Sequence, residues 1–73
     1  MDPNEVIATM RSQVTALAES VSAAIEAGSV QRAARHYERA DTLRAALVDE
    51  FVTLDEWLTN GGFLPTAWTN GRP

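Results

Sequence analysis

The chain of 73 residues contains no cysteine, so it has no disulfide framework, no thiolate zinc site and no cysteine nucleophile. It also lacks lysine and any apolar run near the ~20 residues that span a bilayer. Its N-terminus, MDPNEV, has neither the basic nor the apolar region of a signal peptide. These absences predict a cytoplasmic protein with no membrane partner.

Positive charge is scarce, because six arginines stand against ten carboxylates and the net charge is −4. A general nucleic-acid coat would be expected to be basic, so this class is disfavoured. The composition, 45% hydrophobic and 22% charged, is typical of a globular chain. A chain this short builds a marginal core unless a disulfide, a metal or a partner chain supports it.

The first half of the chain has the apolar spacing of an amphipathic helix, predicted over about 3–27. Its apolar positions alternate by three and four: Ile7, Met10, Val14, Leu17, Val21 and Ala24. Asp2 and Pro3 suit its N-cap and first position, and Gly28 is expected to end it in the left-handed conformation. With Ser29 as the next N-cap, the connection is so short that the two helices should be antiparallel.

A second helix is predicted over about 29–59, since no glycine or proline interrupts this stretch before Asn60-Gly61. Its apolar stripe reads Val30, Ala33, Tyr37, Ala40, Leu43 or Leu47, Phe51, Leu54 and Leu58. A second seam, made by Ala45, Val48 and Val52, widens the apolar surface near the C-terminal end. The longer second helix is expected to overhang the first, and its overhang is expected to carry Phe51, Leu54, Trp57 and Leu58.

The tail, 60–73, reverses direction at Gly61-Gly62 and can bring its aromatic residues back over this overhang or onto a second chain. Both alternatives stay open from the sequence. The predicted interface residues are Phe51, Leu54, Trp57, Leu58, Phe63, Leu64 and Trp68. An intrachain core is the favoured role for Trp57 and Phe63.

The fold class is therefore all-α: a single domain, 1–73, formed by a helical hairpin with a returning tail. Two helices cannot enclose the wide apolar surface of the second, and such exposed patches mark interfaces. Basic residues crowd the first half of the second helix (Arg32, Arg35, Arg39 and Arg44), and acidic ones crowd its second half (Asp49, Glu50, Asp55 and Glu56). An antiparallel pair of copies would match these halves, which predicts a homodimer or a larger helical bundle.

No constellation of catalytic, metal-binding or cofactor-binding residues is recognisable. His36 is the only histidine, so it is expected at a surface or interface, without the further ligands that a metal site needs. The acidic pairs Asp49-Glu50 and Asp55-Glu56 are adjacent in sequence, so their side chains diverge on a helix and do not form an acid–base pair. The sequence therefore predicts a non-enzymatic protein with no cofactor and no metal.

One polar surface supports an alternative function. Arg32, Arg35 and Arg39 are spaced to share one side of the second helix and could contact phosphate or an acidic partner. A solvated, salt-bridged surface is the more ordinary interpretation. The alternative is a nucleic-acid-associated regulator, for which the acidic total charge is unfavourable.

The stretch ALVDEFVTLDEWLTNGGFLPTAW, from Ala46 to Trp68, resembles the C-terminal part of small proteins encoded by actinobacterial phages, the mycobacteriophage type above all. Leu-Asp-x-Trp-Leu, Gly-Gly-Phe-Leu-Pro and a following Trp recur in them after a helix rich in Ala and Arg. The resemblance implies a viral origin and no particular activity. The leading hypothesis is a small helical interaction protein that self-associates, and, if phage-encoded, modulates a host protein in the host cytoplasm.

Overall fold

The structure, a computed structural model, describes residues 1–69 and is an all-α helical hairpin. Helix α1 spans Pro3–Glu26, helix α2 spans Val30–Thr59, and a single turn, α3, spans Thr66–Thr69. The two long helices pack against each other, and α3 packs against α1. The smallest dimension of the Cα trace is 13 Å, so the hairpin forms one layer of helices. Residues 70–73 of the predicted tail lie outside the described residues.

The helix starts follow the predicted capping residues. Asp2 accepts a hydrogen bond of 2.9 Å from the backbone N–H of Asn4, with Pro3 as the first helical residue. Ser29 accepts one of 3.2 Å from the backbone N–H of Arg32. Each cap satisfies an N–H that has no partner within its helix, which fixes where the helix begins.

The prediction for Gly28 was wrong. Helix α1 is capped by Ala27 in an extended conformation, and Gly61 is the glycine with positive φ, at 89°. Gly61 lies where α2 ends: its N–H donates to the carbonyl of Leu58, and that of Gly62 donates to the carbonyl of Trp57. This pair of bonds is a Schellman motif, which needs a left-handed residue where glycine avoids the Cβ clash.

The hydrophobic core lies near the open end of the hairpin, away from the connection. Val6, Ile7 and Leu54 are buried together, with Met10 and Leu58 packed against them. Leu54, only 3% exposed, therefore packs against the first turns of α1, and its predicted position on an overhang was wrong. Nearer the connection the buried positions are small: Ser20, Ala24 and Ala40.

The predicted apolar stripe of α2 was wrong at three positions, the first of which is Val30, 86% exposed. Tyr37 and Phe51 are exposed, although the stripe placed them against α1. The stripe was right at Ala40, Leu47 and Leu54, which are buried or half-buried in the contact with α1. The helix is rotated so that its second apolar seam is turned to solvent.

Candidate functional site

An uncovered apolar surface lies on one broad side of the described part of the hairpin. We call it the apolar face and define it by Val14, Tyr37, Val48, Phe51 and Val52, all of which are exposed. Val48 is 60% and Phe51 57% exposed, which is high for residues of this size and polarity. Clustered apolar residues of this kind typically mark an interaction site.

Helix geometry places these residues of α1 and α2 on the same side. At about 100° per residue, Val14 is rotated by about 60–80° from the contact positions Val6 and Leu17 of α1. On α2, Val48 is rotated by about 100°, in the same sense, from Leu47. In an antiparallel pair, equal rotations from the contact direction lead to the same side of the layer, so the two helices contribute to one face.

Charged residues are interspersed with the apolar ones along α2. Asp41, Arg44 and Asp55 are exposed on the same side as Tyr37 and Val48. The guanidinium group of Arg44 pairs with the carboxylate of Asp41 one turn earlier, and both side chains remain largely exposed. The face is thus an apolar surface with charges at defined positions along its length.

The predicted interface residues separate into three groups. Leu54 is buried within the hairpin, and Leu58 and Trp57 are half-buried. Phe51 belongs to the apolar face, as defined above. The tail residues Phe63, Leu64 and Trp68 remain exposed.

The tail is held at the open end of the hairpin by contacts around Trp57 and Pro65. The indole N–H of Trp57 donates a hydrogen bond of 3.0 Å to the carbonyl of Phe63. The rings of Trp57 and Phe63 meet edge to face, 5.4 Å between centroids. Pro65 is fully buried, and the next N–H, that of Thr66, donates to the side-chain oxygen of Asn4 at 2.7 Å. These contacts explain the partial burial of Trp57 within a single chain. The outer surfaces of Phe63 and Leu64 remain exposed to solvent.

The three arginines of the alternative function lie on the opposite side of the hairpin. Arg32, Arg35 and Arg39 are exposed, and none of them forms an ion pair within residues 1–69. His36 is half-buried, at a position of α2 in line with Ala40 and therefore facing α1. The sequence did not distinguish this inward position from a surface one.

A shallow groove of about 400 Å³ crosses the same opposite side. It is lined by Ala8, Thr9, Ser12, Gln13, Ala16 and Leu43. The side-chain oxygen of Gln13 is buried without a hydrogen-bond partner among the described residues. The lining carries no titratable group, so it offers no acid or base for catalysis.

No group of three or more His, Cys, Asp or Glu side chains converges within residues 1–69. No helix in that range is long and apolar enough to cross a membrane.

Comparisons with known proteins add no relative. No family model, no curated protein and no solved structure matches the chain.

Proposed function

We propose that this chain is a small non-enzymatic interaction protein of the cytoplasm that self-associates through the apolar face. The observation that carries the proposal is the exposure of Val14, Val48 and Phe51 on one side of a single helical layer. A second helical layer placed there would bury these side chains and convert two helices into a four-helix bundle. Burial of apolar area is the main favourable term in most protein association.

The accessible surface of the chain supports the same proposal. The chain exposes 5313 Å², whereas a compact monomer of 7.9 kDa is expected to expose about 4,400 Å². The excess of about 900 Å² is similar to the ~800 Å² that each partner buries in a standard interface. One such interface would bring the exposed area into the ordinary range for the size of the chain.

The test is the solution mass of the full chain by light scattering and sedimentation, with two matched variants. Phe51→Gln places an amide on the apolar face, and Leu64→Gln places one on the exposed tail. We expect the natural chain to be an oligomer, Phe51→Gln to shift it towards the monomer, and Leu64→Gln to leave it unchanged. A monomeric natural chain contradicts the proposal, and dissociation by Leu64→Gln alone moves the interface to the tail.

A viral origin, as the phage resemblance implies, extends the proposal to a host protein as a further partner. Such a partner would present an apolar helix to the face that the second copy otherwise covers. The host protein and the second copy would therefore compete for the apolar face, because one surface cannot bind both at once. A host protein that binds without displacing the second copy would contradict this extension.

The second candidate is a nucleic-acid-associated regulator that uses Arg32, Arg35 and Arg39. Their exposure and their lack of ion pairs within residues 1–69 favour it. Contacts to phosphates would give binding that weakens steeply with salt. An electrophoretic shift that is lost in an Arg35→Gln, Arg39→Gln double variant supports this candidate, and no shift at low salt eliminates it.

A further inference from the structure

The exposed side of α2 carries a second heptad pattern, distinct from the one that packs on α1. We call it the outer strip; its positions alternate by four and three: Tyr37, Asp41, Arg44, Val48, Phe51 and Asp55. All six residues are exposed. This spacing is that of a helix that packs along another helix through coiled-coil contacts. The strip is continuous with the apolar face, so an antiparallel helix can lie along it.

We propose that two copies pair through their outer strips about a two-fold axis located between Val48 and Phe51. In this register Val48 faces the partner's Phe51, and Arg44 faces the partner's Asp55. The assignment rests on the self-association proposed above and specifies its geometry. Two-fold symmetry repeats each contact, so an apolar centre is flanked on both sides by an Arg–Asp pair.

The charges of the strip select this register over its neighbour. A shift of one heptad would place Arg44 opposite the partner's Val48, and Asp41 opposite the partner's Phe51. Each charge would then lose water without gaining an opposite charge, which is unfavourable. The proposed register matches Val48 with Phe51 and Arg44 with Asp55. Asp41 lies opposite the partner's Leu58, but its carboxylate keeps the ion pair with Arg44 of its own helix.

A shift of two heptads matches Arg44 with a carboxylate but separates Val48 from Phe51. Arg44 would face the partner's Asp41, and Phe51 would lie opposite the partner's Ala34. The large exposed side chains Val48 and Phe51 would no longer meet at the centre. In the shifted register Val48 would face the partner's Tyr37, but Asp55, which forms no ion pair within residues 1–69, would lie opposite the partner's Val30. The proposed register gives Asp55 a cation and places Val48 and Phe51 together at the axis.

Arg44 has the donors that this arrangement needs. Its guanidinium pairs with Asp41 of its own helix, and the group carries five N–H donors in all. Donors therefore remain for a carboxylate that approaches from the partner. The other three arginines in the basic half of α2 lie off the strip: Arg32, Arg35 and Arg39. Arg44 is therefore the one that contacts the partner in this register.

A charge exchange tests the register by sedimentation equilibrium. Arg44→Asp and Asp55→Arg, each alone, place like charges opposite each other at two symmetric sites, and each should weaken the dimer on the order of tenfold. The double variant should restore the natural dissociation constant. The two positions are 11 residues apart on one helix, about 16 Å, so rescue requires contact between copies.

The controls separate the register from the existence of the dimer. Arg35→Asp makes the same charge change off the strip and should leave the dissociation constant unchanged. Circular dichroism confirms that each variant is helical. A monomeric natural chain overturns both this inference and the proposed self-association. The register alone is overturned if the natural chain is a dimer but Asp55→Arg fails to rescue the Arg44→Asp variant. It is likewise overturned if Asp41→Arg rescues that variant instead.

Oxidation of a single introduced cysteine gives an independent readout, since the natural chain has none. In the proposed register, residues 48 of the two copies are offset by about 4.5 Å along the helix axes, within disulfide reach across a close helix pair. Val48→Cys should form a covalent dimer, while Val30→Cys, far from the axis, should not. The register is overturned if Val30→Cys forms the covalent dimer and Val48→Cys does not.

Discussion

The side-chain oxygen of Asn4, in the first turn of α1, accepts a hydrogen bond of 2.7 Å from the backbone N–H of Thr66. The bond joins residues 62 positions apart and ties the returning tail to the start of the chain. Pro65, directly before it, is fully buried, so this short stretch packs against the hairpin. The tail is thereby anchored through a proline and one polar contact, while its large apolar side chains stay exposed.

Removal of the Asn4 acceptor should release the tail. Asn4→Ala leaves the N–H of Thr66 without its partner and should cost about 0.5–1.5 kcal/mol in the free energy of unfolding. Thermal unfolding followed by circular dichroism measures this cost, and chymotrypsin cleavage after Phe63 should become faster. Asn4→Asp is the matched control, because it keeps an acceptor oxygen and adds a charge favourable at a helix N-terminus. Equal losses in both variants would contradict the assignment.

Gly62 is required by the position of Trp57. A Cβ at residue 62 would come within 2.2 Å of the indole ring, closer than any contact allows. Gly62→Ala should therefore displace Trp57, break its bond to Phe63, and lower the melting temperature with a change in tryptophan fluorescence. Gly28→Ala is the control, since nothing lies within 4 Å of a Cβ there. Equal melting temperatures of the two alanine variants would contradict this packing of Trp57 against Gly62.

Ala40 sets how closely the helices approach. It is fully buried, and a larger side chain would force α1 and α2 apart. Ala40→Leu should destabilise the chain by about 1–3 kcal/mol, the usual cost of overpacking. Ala34→Leu, at an exposed position of the same helix, should be close to neutral. Unfolding in urea at one fixed protein concentration compares the two, since association makes stability depend on concentration.

Ser29 supplies the N-cap on which the start of α2 depends. Ser29→Ala removes the acceptor for the N–H of Arg32 and should cost about 1 kcal/mol of stability. Ser22→Ala, at an exposed position inside α1, should be neutral or slightly stabilising because alanine favours helix. Urea unfolding midpoints report the difference. A loss at Ser22 as large as that at Ser29 would contradict a capping role.

Prediction from sequence was accurate wherever a local rule decides the structure. Asp2 and Ser29 cap the helices because their short side chains reach nearby backbone N–H groups. The end of α2 at Asn60-Gly61 follows from the freedom of glycine at positive φ. The role of Gly28 could not be settled this way, because Ala27 ends α1 in an extended conformation that any residue adopts.

The apolar face shows where local rules no longer decide. Two neighbouring strips of α2 have helical spacing, one through Leu47 and Leu54, the other through Val48 and Phe51. Spacing alone does not say which strip faces α1, so the predicted stripe combined members of both. The uncovered strip could be recognised only after the covered one was known.

The sequence by itself determined the two helices, their N-caps and the chain reversal after α2, because neighbouring residues control backbone dihedrals and the hydrogen bonds of helix ends. Only the tertiary structure decided how each helix is rotated about its axis. Small residues such as Ser20 and Ala40 let the helices approach closely, and packing then buries Leu54 while Phe51 stays in solvent. That rotation is a property of both helices at once, and it creates the face on which the proposed function depends.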